Sequence, residues 1–487
     1  MSSTGREQTA SIVHKKTNVI AIDLGTFCDN RLAEIALTAV SRKYHVVYIT
    51  DNRHNIDASI YTKLGYDTPD FFVNDPHLEA ADPKINFAWW IIKHPAYTYE
   101  ASVWANYVRK LLTAAIEKYQ PKCLIIMYPA LAAVWLVRDI SKLPIYVLYV
   151  APAVVSYSLP WLFDSDMKNP DKPLYIEDTA NKASGVSYIN RISKVAGLLG
   201  EPPFDVYKSV THVLCYDAVA VPKIKVYKEK TLKMMQTGAL VSRDVVHPPR
   251  LSKSSKVYAF LEECKRDGKK NIIFLTFGSY GGLEDLTIAL SQLLSLLTQY
   301  CDKEKATRIL FHNGGAVRKT IDTKILKHDD LKIIDGFIPY ESVIPHCKLV
   351  VFTGSVCLQN ICLYNGTPMF FFPLLSEQFY WAKNYAYHTG IPYVDFRTWD
   401  ILKDTNAFFV ILKEAMRTNP YLDRVKANMH KLGWQSVPEH ILDLVDSTPS
   451  TKIPKTPKTP KTPKTTKTTK TTKNTKNTKN SKTSRDR

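Results

Sequence analysis

The feature that most limits the fold is a repeated alternation of short, wholly apolar runs with stretches of helical periodicity. The run NVIAID (18–23) leads through Gly25-Thr26 into a segment patterned as a helix over about 30–41, and HVVYIT (45–50) follows. The alternation continues through CLIIMY (123–128), IYVLYV (145–150) and THVLCY (211–216), with helices expected around 100–119 and 130–141. A strand without a polar face has no side to offer to water. It belongs in a sheet covered by helices on both faces, and strand–helix–strand connections make such a sheet parallel. A second series begins after the polar, Pro-containing stretch VSRDVVHPPRLSKSS (241–255). It is expected to run helix 256–265, strand 271–279, helix 284–299, strand 308–313, short strand 332–335, strand 349–354, a helix ending at Asn365-Gly366, and strand 368–373. The expected class is therefore α/β, with two units joined near 236–256. A helical stretch over 402–445, broken at Asn419-Pro420, is long enough to return across both.

Two segments are apolar enough to raise a membrane reading, 124–137 and 144–163. The first falls short of the roughly 20 residues a spanning helix needs, and the second contains Pro144, Pro152 and Pro160. No integral membrane segment is expected. The opening MSSTGREQTASIVHKK has no apolar core of a secretory signal, so a cytoplasmic location is expected. Eight cysteines occur without a C-x-x-C pair or zinc-ligand spacing, and reduced thiols are the reading. Net charge is +19, but its placement is uneven. From Lys452 to Lys482 a lysine falls at every third position, eleven in all; with Arg485 and Arg487 against Asp486 the tail carries +12, which leaves +7 for the rest. That tail of Lys, Thr, Pro and Asn has almost nothing to bury and is expected to be disordered. It is either a solvated extension or a cation for anionic membrane or another polyanion, which would make the protein peripheral to membranes.

Two loops of the second unit carry residue types suited to an anion. Gly278-Ser279 sits where a strand ends and a helix begins, and ligands of open α/β sheets bind at the carboxyl ends of strands. Thr353-Gly354-Ser355 ends another strand and opens a helix through Val356 and Cys357, whose first-turn N–H groups suit a diphosphate. One strand further on, a loop after Pro373 is expected to deliver Glu377-Gln378, an acid and an amide able to grip vicinal hydroxyls. In the first unit Asp29 stands four residues past Gly25. It is either the N-cap of the following helix or a base facing a crevice. His94, His312 and His346 read as structural or surface histidines. Trp89-Trp90 and the aromatic stretch 157–161 read as core, with a lipophilic acceptor pocket as the bolder alternative.

Residues 336–384 resemble the donor-binding signature of UDP-dependent glycosyltransferases with the two-domain GT-B fold, in the layout of the sterol and glycopeptide-antibiotic glucosyltransferases. Ile338-Pro339-Tyr340-Glu341 matches their V-P-H-D, and Ile344-Pro345 the following F-P. Thr353-Gly354-Ser355 falls on H-G-G, Gly366-Thr367-Pro368 on G-x-P, Pro373 through Gln378 on P-x-x-x-D-Q with Glu for Asp, and Phe277-Gly278-Ser279 on F-G-S. Gly25-Thr26-Phe27-Cys28-Asp29 matches that branch's G-T-R-G-D at Gly, Thr and Asp. The resemblance spans roughly 17–445, strongly after 270 and weakly between 52 and 210.

The resemblance implies two Rossmann-like domains whose parallel sheets face each other across a cleft, with C-terminal helices crossing back. Its boundaries are a flexible 1–16, an acceptor-binding domain 17–240, a linker 241–256, a nucleotide-sugar domain 257–400, returning helices 401–446 and a disordered tail 447–487. It implies inverting, metal-independent transfer of a sugar, glucose by the family pattern, from a UDP-sugar to the hydroxyl of a small lipophilic acceptor. Asp29 is then the catalytic base, flanked on the acceptor side by Gly25 and Thr26. The donor site comprises Gly278, Ser279, Ile338, Thr353, Gly354, Ser355, Val356, Cys357, Glu377 and Gln378. No cofactor is expected, the UDP-sugar being a substrate. Two departures stand out. The family histidine is Thr353 here, with Arg318 and Lys319 as candidate replacements for its charge, and Phe27-Cys28 replaces Arg-Gly. Two alternatives follow: a GT-B transferase for another nucleotide sugar or a protein or polymer acceptor, and a catalytically inactive GT-B-like binding protein.

Overall fold

The computed structural model describes residues 17–23, 27–52, 55–66, 110–127, 143–150, 174–175, 210–220, 224–225, 233–278, 284–313, 323–373, 376–394 and 400–449. The lysine-rich tail, Arg318, Lys319, His94, Trp89-Trp90 and the stretch 157–161 lie outside them.

The apolar runs become strands of two parallel sheets. The first is built from β1 (Asn18–Ile22), β2 (His45–Asp51), β3 (Tyr61–Tyr66), β4 (Leu124–Met127), β5 (Ile145–Tyr149), β7 (Thr211–Leu214) and β9 (Lys233–Gln236), in the order β3-β2-β1-β4-β5-β7-β9. Two short strands, β6 (Leu174–Tyr175) and β8 (Ile224–Lys225), pair separately. The second sheet has the order β12-β11-β10-β13-β14, from β10 (Asn271–Thr276), β11 (Thr307–Asn313), β12 (Leu331–Asp335), β13 (Leu349–Phe352) and β14 (Met369–Phe371). All neighbours in both sheets are parallel. Within the segments that raised a membrane reading, Leu124–Met127 and Ile145–Tyr149 are the interior strands β4 and β5, buried along their whole length. Among the described residues no helix is long and apolar enough to cross a membrane.

Helices cover the sheets as the apolar faces require. Helix α1 (Phe27–Lys43) buries Leu32, Ala33, Ala36, Leu37 and Val40. Helix α2 (Lys256–Arg266) is capped by Ser255, whose hydroxyl accepts the Tyr258 N–H at 3.1 Å. Helix α3 (Glu284–Lys303) lays Leu290, Leu293, Leu294 and Leu297 against Ile273, Leu275, Ile309, Phe311 and Phe370 of the second sheet. Each such large side chain taken fully from water contributes about 1.5–3 kcal/mol before ordering costs. Helix α4 (Val356–Asn365) follows β13, and α5 (Ser376–Thr389) follows β14.

The end of the chain ties the sheets together. Helices α6 (Thr405–Ala415), α7 (Pro420–Leu432) and α8 (Ser436–Ser447) occupy the stretch expected to be helical. The break falls where Asn419 caps α7 by accepting the Tyr421 N–H at 2.8 Å, with Pro420 in the first turn, where its missing N–H costs nothing. On one side α7 donates from Lys426 to the Asn365 carbonyl of α4 at 3.0 Å; on the other, its Asn428 donates to Asp217 beyond β7 at 2.8 Å. Helix α8 returns to the first lobe. Asp446 accepts from Lys43 at 2.8 Å and from the Tyr44 hydroxyl at 2.6 Å, and Tyr146 donates to the Leu444 carbonyl at 2.9 Å.

Candidate active site

Each sheet has one point where the strand order reverses, and there the helices leaving neighbouring strands diverge to opposite faces and open a crevice. In the first sheet the reversal is at β1, between β2 and β4; in the second it is at β10, between β11 and β13. The connection after β1 leads to Asp29, and the one after β10 starts at Gly278. Asp29 and Gly278 thus follow the strands at which the two sheets reverse.

The ends of the second sheet are joined by a chain of hydrogen bonds. The Gly278 N–H donates to Thr276 Oγ1 at 3.2 Å, and Thr276 Oγ1 lies 3.5 Å from His312 Nδ1. The His312 Nε2 is 2.7 Å from the Gly336 carbonyl oxygen, which can only accept, so this nitrogen carries the proton. Nδ1 is then the acceptor, and it takes the Tyr340 hydroxyl at 2.7 Å. Burial lowers the His312 pKa against the raising effects of that carbonyl and of Asp335, which keeps the ring neutral. Asn313 donates to Asp335 at 3.1 Å and fixes the same edge. His312 is the satisfied structural histidine expected; His346 is exposed.

Held on this frame is a side chain that residue type did not single out. Phe337 follows the left-handed Gly336 (φ +84°) and is 83% exposed. Ile338, the expected donor contact, turns inward and is buried, so only its backbone can face a ligand. A bulky aromatic just before the matched Ile338-Pro339-Tyr340-Glu341 was the available signal.

The glycine-serine loop after β13 meets the polar pair after β14. Gly354 has φ +98°, and a Cβ placed on it would lie 3.2 Å from the Gln378 Cβ and from a Phe371 ring carbon. Glu377 and Gln378 are not on a loop: they occupy the second and third positions of α5, which starts at Ser376. The close approach at Gly354 therefore sets the N-terminus of α5 beside that of α4, whose N-cap is Ser355 and whose first intrahelical bond runs from the Gln359 N–H to the Ser355 carbonyl at 2.9 Å. Both helix starts present positive dipole ends. Thr353, Val356 and Gln378 are buried, and Cys357 is half-buried. Ser279, Gly25 and Thr26 lie outside the described residues.

Asp29 is the third residue of α1 rather than its cap, because the helix already begins at Phe27. Helix α1 reaches the second lobe directly. Arg31 pairs with Glu341 of the short helix Tyr340–Val343, and a cavity of about 10 Å³ between them is bounded by Leu32 and Ile35 of α1, Val241 and Ser242 of the linker, and Cys357 and Ile361 of α4. The linker and the residue before it are held to the second lobe by Ser342 on the Pro249 carbonyl at 2.7 Å and Asn360 on the Leu240 carbonyl at 2.9 Å.

No protein-family model matches the sequence, and no curated protein matches it. Solved structures do. Medicago truncatula UGT71G1, complexed with UDP-glucose, superposes with a TM-score of 0.58 at 12% identity over 89% of this chain and 99% of its own. Phytolacca americana UGT2, complexed with UDP-2fluoro-glucose and pterostilbene, gives 0.56 at 14% identity over 88% and 99%. Os79 from O. sativa, in complex with UDP and deoxynivalenol-3-glucoside, gives 0.58 at 12% identity over 88% and 100%. The chain has the GT-B fold. This agrees with the two parallel sheets and returning C-terminal helices of the chain, and it spans nearly the whole length of each of these GT-B proteins.

Proposed function

We propose that this GT-B chain is a UDP-sugar-dependent glycosyltransferase that moves a hexosyl group, glucose by its donor motif, to the hydroxyl of a small lipophilic acceptor with inversion at the anomeric carbon. The observation that carries this reading is the packing of Gly354 on Gln378. It brings two helix N-termini together at the ends of β13 and β14, next to the reversal point of the second sheet. A diphosphate at the start of α4 is met by N–H dipoles there and by the backbone of Gly278 and the hydroxyl of Ser279. The nucleobase lies against Phe337. Glu377 and Gln378 hold sugar hydroxyls, the carboxylate accepting and the amide both accepting and donating.

Asp29 takes the acceptor proton as its oxygen attacks the anomeric carbon; the bond to the diphosphate oxygen breaks, and the negative charge that develops there is stabilised at the α4 N-terminus. Its place two residues before Arg31, on a helix that contacts the donor lobe, supports the assignment. The domain division at 241–256 follows the linker between the sheets, and the lysine-rich tail is assigned to peripheral contact with anionic surfaces.

Asp29→Asn tests the central claim. UDP release from UDP-glucose is expected to fall by about tenfold or more, as general bases contribute ~10²–10⁴-fold. No release by the wild type with any UDP-sugar, alongside retained UDP binding, supports an inactive binding protein instead.

A further inference from the structure

The geometry points to Arg31 and Glu341 as a charged latch between the lobes that positions the base-bearing end of α1 over the donor site; this rests on the transferase reading above. Glu341 is a buried carboxylate, its side chain only 3% exposed, and its partner among the described residues comes from the other lobe. The adjoining cavity is mostly apolar, bordered by Leu32, Ile35, Val245 and Ile361 with Ser242 and Asn360 as its uncharged polar lining, and at about 10 Å³ it holds at most one water. A buried carboxylate in such a place is tolerated only while a cation stays on it. Arg31 supplies that cation while remaining 40% exposed, so the guanidinium sits at the rim and the carboxylate within.

Both ends of the latch are attached to functional parts. Arg31 is two residues beyond Asp29 in α1. Glu341 follows Tyr340, which holds His312 and through it the Gly336 carbonyl beneath Phe337. The guanidinium also acts on Glu34, one turn on in α1. Burial raises the Glu34 pKa, with Asp57 adding to that rise and Arg31 opposing it, so the guanidinium acts on a carboxylate of its own helix as well as on Glu341 across the seam. If α1 withdraws from the donor lobe, Glu341 is left buried without its charge partner. The latch thus favours the arrangement in which the base-bearing turn lies against the lobe that holds the donor. The donor contacts lie in the second lobe and the base in the first, so loosening the latch spares donor binding and lowers the chemical step.

Arg31→Met, Glu341→Met and the double variant Arg31→Met/Glu341→Met provide the test. Turnover is divided by the number of UDP-binding sites measured by titration, because unfolded chains contribute no sites and a folding defect alone leaves this ratio unchanged. Turnover per site is expected to fall about 10- to 100-fold in each single variant, since a misplacement of about 1 Å can cost 10²-fold. The KM for the donor should stay within about twofold. The double variant should lose no more than the worse single one, the signature of a coupled pair. Hydrogen exchange over residues 27–36 should speed up in all three variants, and this readout needs no turnover, so it tests the latch even if the wild type proves inactive. Unchanged turnover per site with unchanged exchange in α1, or additive losses in the double variant, would overturn the proposal.

Discussion

Gly354 offers a sharp test, because two separate costs meet at one position. At φ +98° an alanine lies outside the favoured left-handed well, and holding it there costs about 1–3 kcal/mol. Its methyl group would also meet the Gln378 Cβ and a Phe371 ring carbon at 3.2 Å and the Gln378 Cα at 3.4 Å. These atoms are not the ends of flexible side chains. Phe371 is buried within the sheet, and the Gln378 Cα is backbone, so relief requires the first turn of α5 to move away from α4. Overpacking of that kind adds about 1–3 kcal/mol. Gly268→Ala is the control: φ is +69° and nothing lies within 4 Å of the added carbon, so it bears a left-handed penalty of about 1–2 kcal/mol and no steric one. In urea denaturation Gly354→Ala should be the less stable of the two by about 1–3 kcal/mol. It should also show a smaller UDP-induced rise in Tm, because the helix starts proposed to receive the donor are pushed apart, whereas Gly268→Ala keeps the full rise. Equal stability and an equal UDP response in the two variants would refute the argument that this contact assembles the donor site.

Phe337→Ala should leave stability within about 0.5 kcal/mol, since the ring packs little, yet weaken UDP roughly 5- to 100-fold by calorimetric titration, stacking of a base on an aromatic ring being worth about 1–3 kcal/mol. His312 is held below its ordinary pKa of 6.5 by burial, so the unfolded chain binds its proton at a higher pH than the folded one does. Its contribution is whole above pH 6.5 and is lost as pH falls from there through the folded-state value; His312→Gln should flatten that part of a stability profile measured by denaturant titration at several pH values.

The sequence was most legible where both faces of an element are buried. The strands β1, β2, β4, β5, β10, β11 and β13 have apolar centres because they lie inside their sheets, and each lies within one to three residues of its expected bounds. The edges of the first sheet were hard to read. Tyr61–Tyr66 reads YTKLGY and Lys233–Gln236 reads KMMQ; they are the outermost strands of the first sheet, where one side faces water and polar residues dilute the pattern. Strands expected to run through Gly278 and Gly354 stop earlier, at Thr276 and Phe352, because both glycines turn to positive φ. The helix carrying Glu377 and Gln378 was hidden by its composition: SEQFYWAKNYAYHT is aromatic on every side and carries no clean helical stripe. At the site, spacing singled out Gly354 and Gln378, which the structure brings against each other. It gave no access to Arg31 on Glu341 or to Gly336 beneath His312, since these pairings join residues 310 and 24 positions apart.

Thr353 stands where the resembling enzymes carry a histidine, and on the transferase reading its consequence follows from burial. Its side chain is 4% exposed, so it acts as a packing residue behind the α4 N-terminus and brings no charge to a diphosphate. The guanidinium at the seam is already committed, since releasing Arg31 would strand the buried Glu341 carboxylate. What the described residues offer the donor is therefore dipolar: the starts of α4 and α5, each equivalent to roughly half an elementary charge. Such fields fall off within a turn of helix, so they favour a diphosphate only when it sits against the backbone. That is the physical reason the Gly354 contact matters so much in this chain. On the transferase reading, Gly354, which has no Cβ, lets the two helix starts stand close enough for their dipoles to meet the ligand.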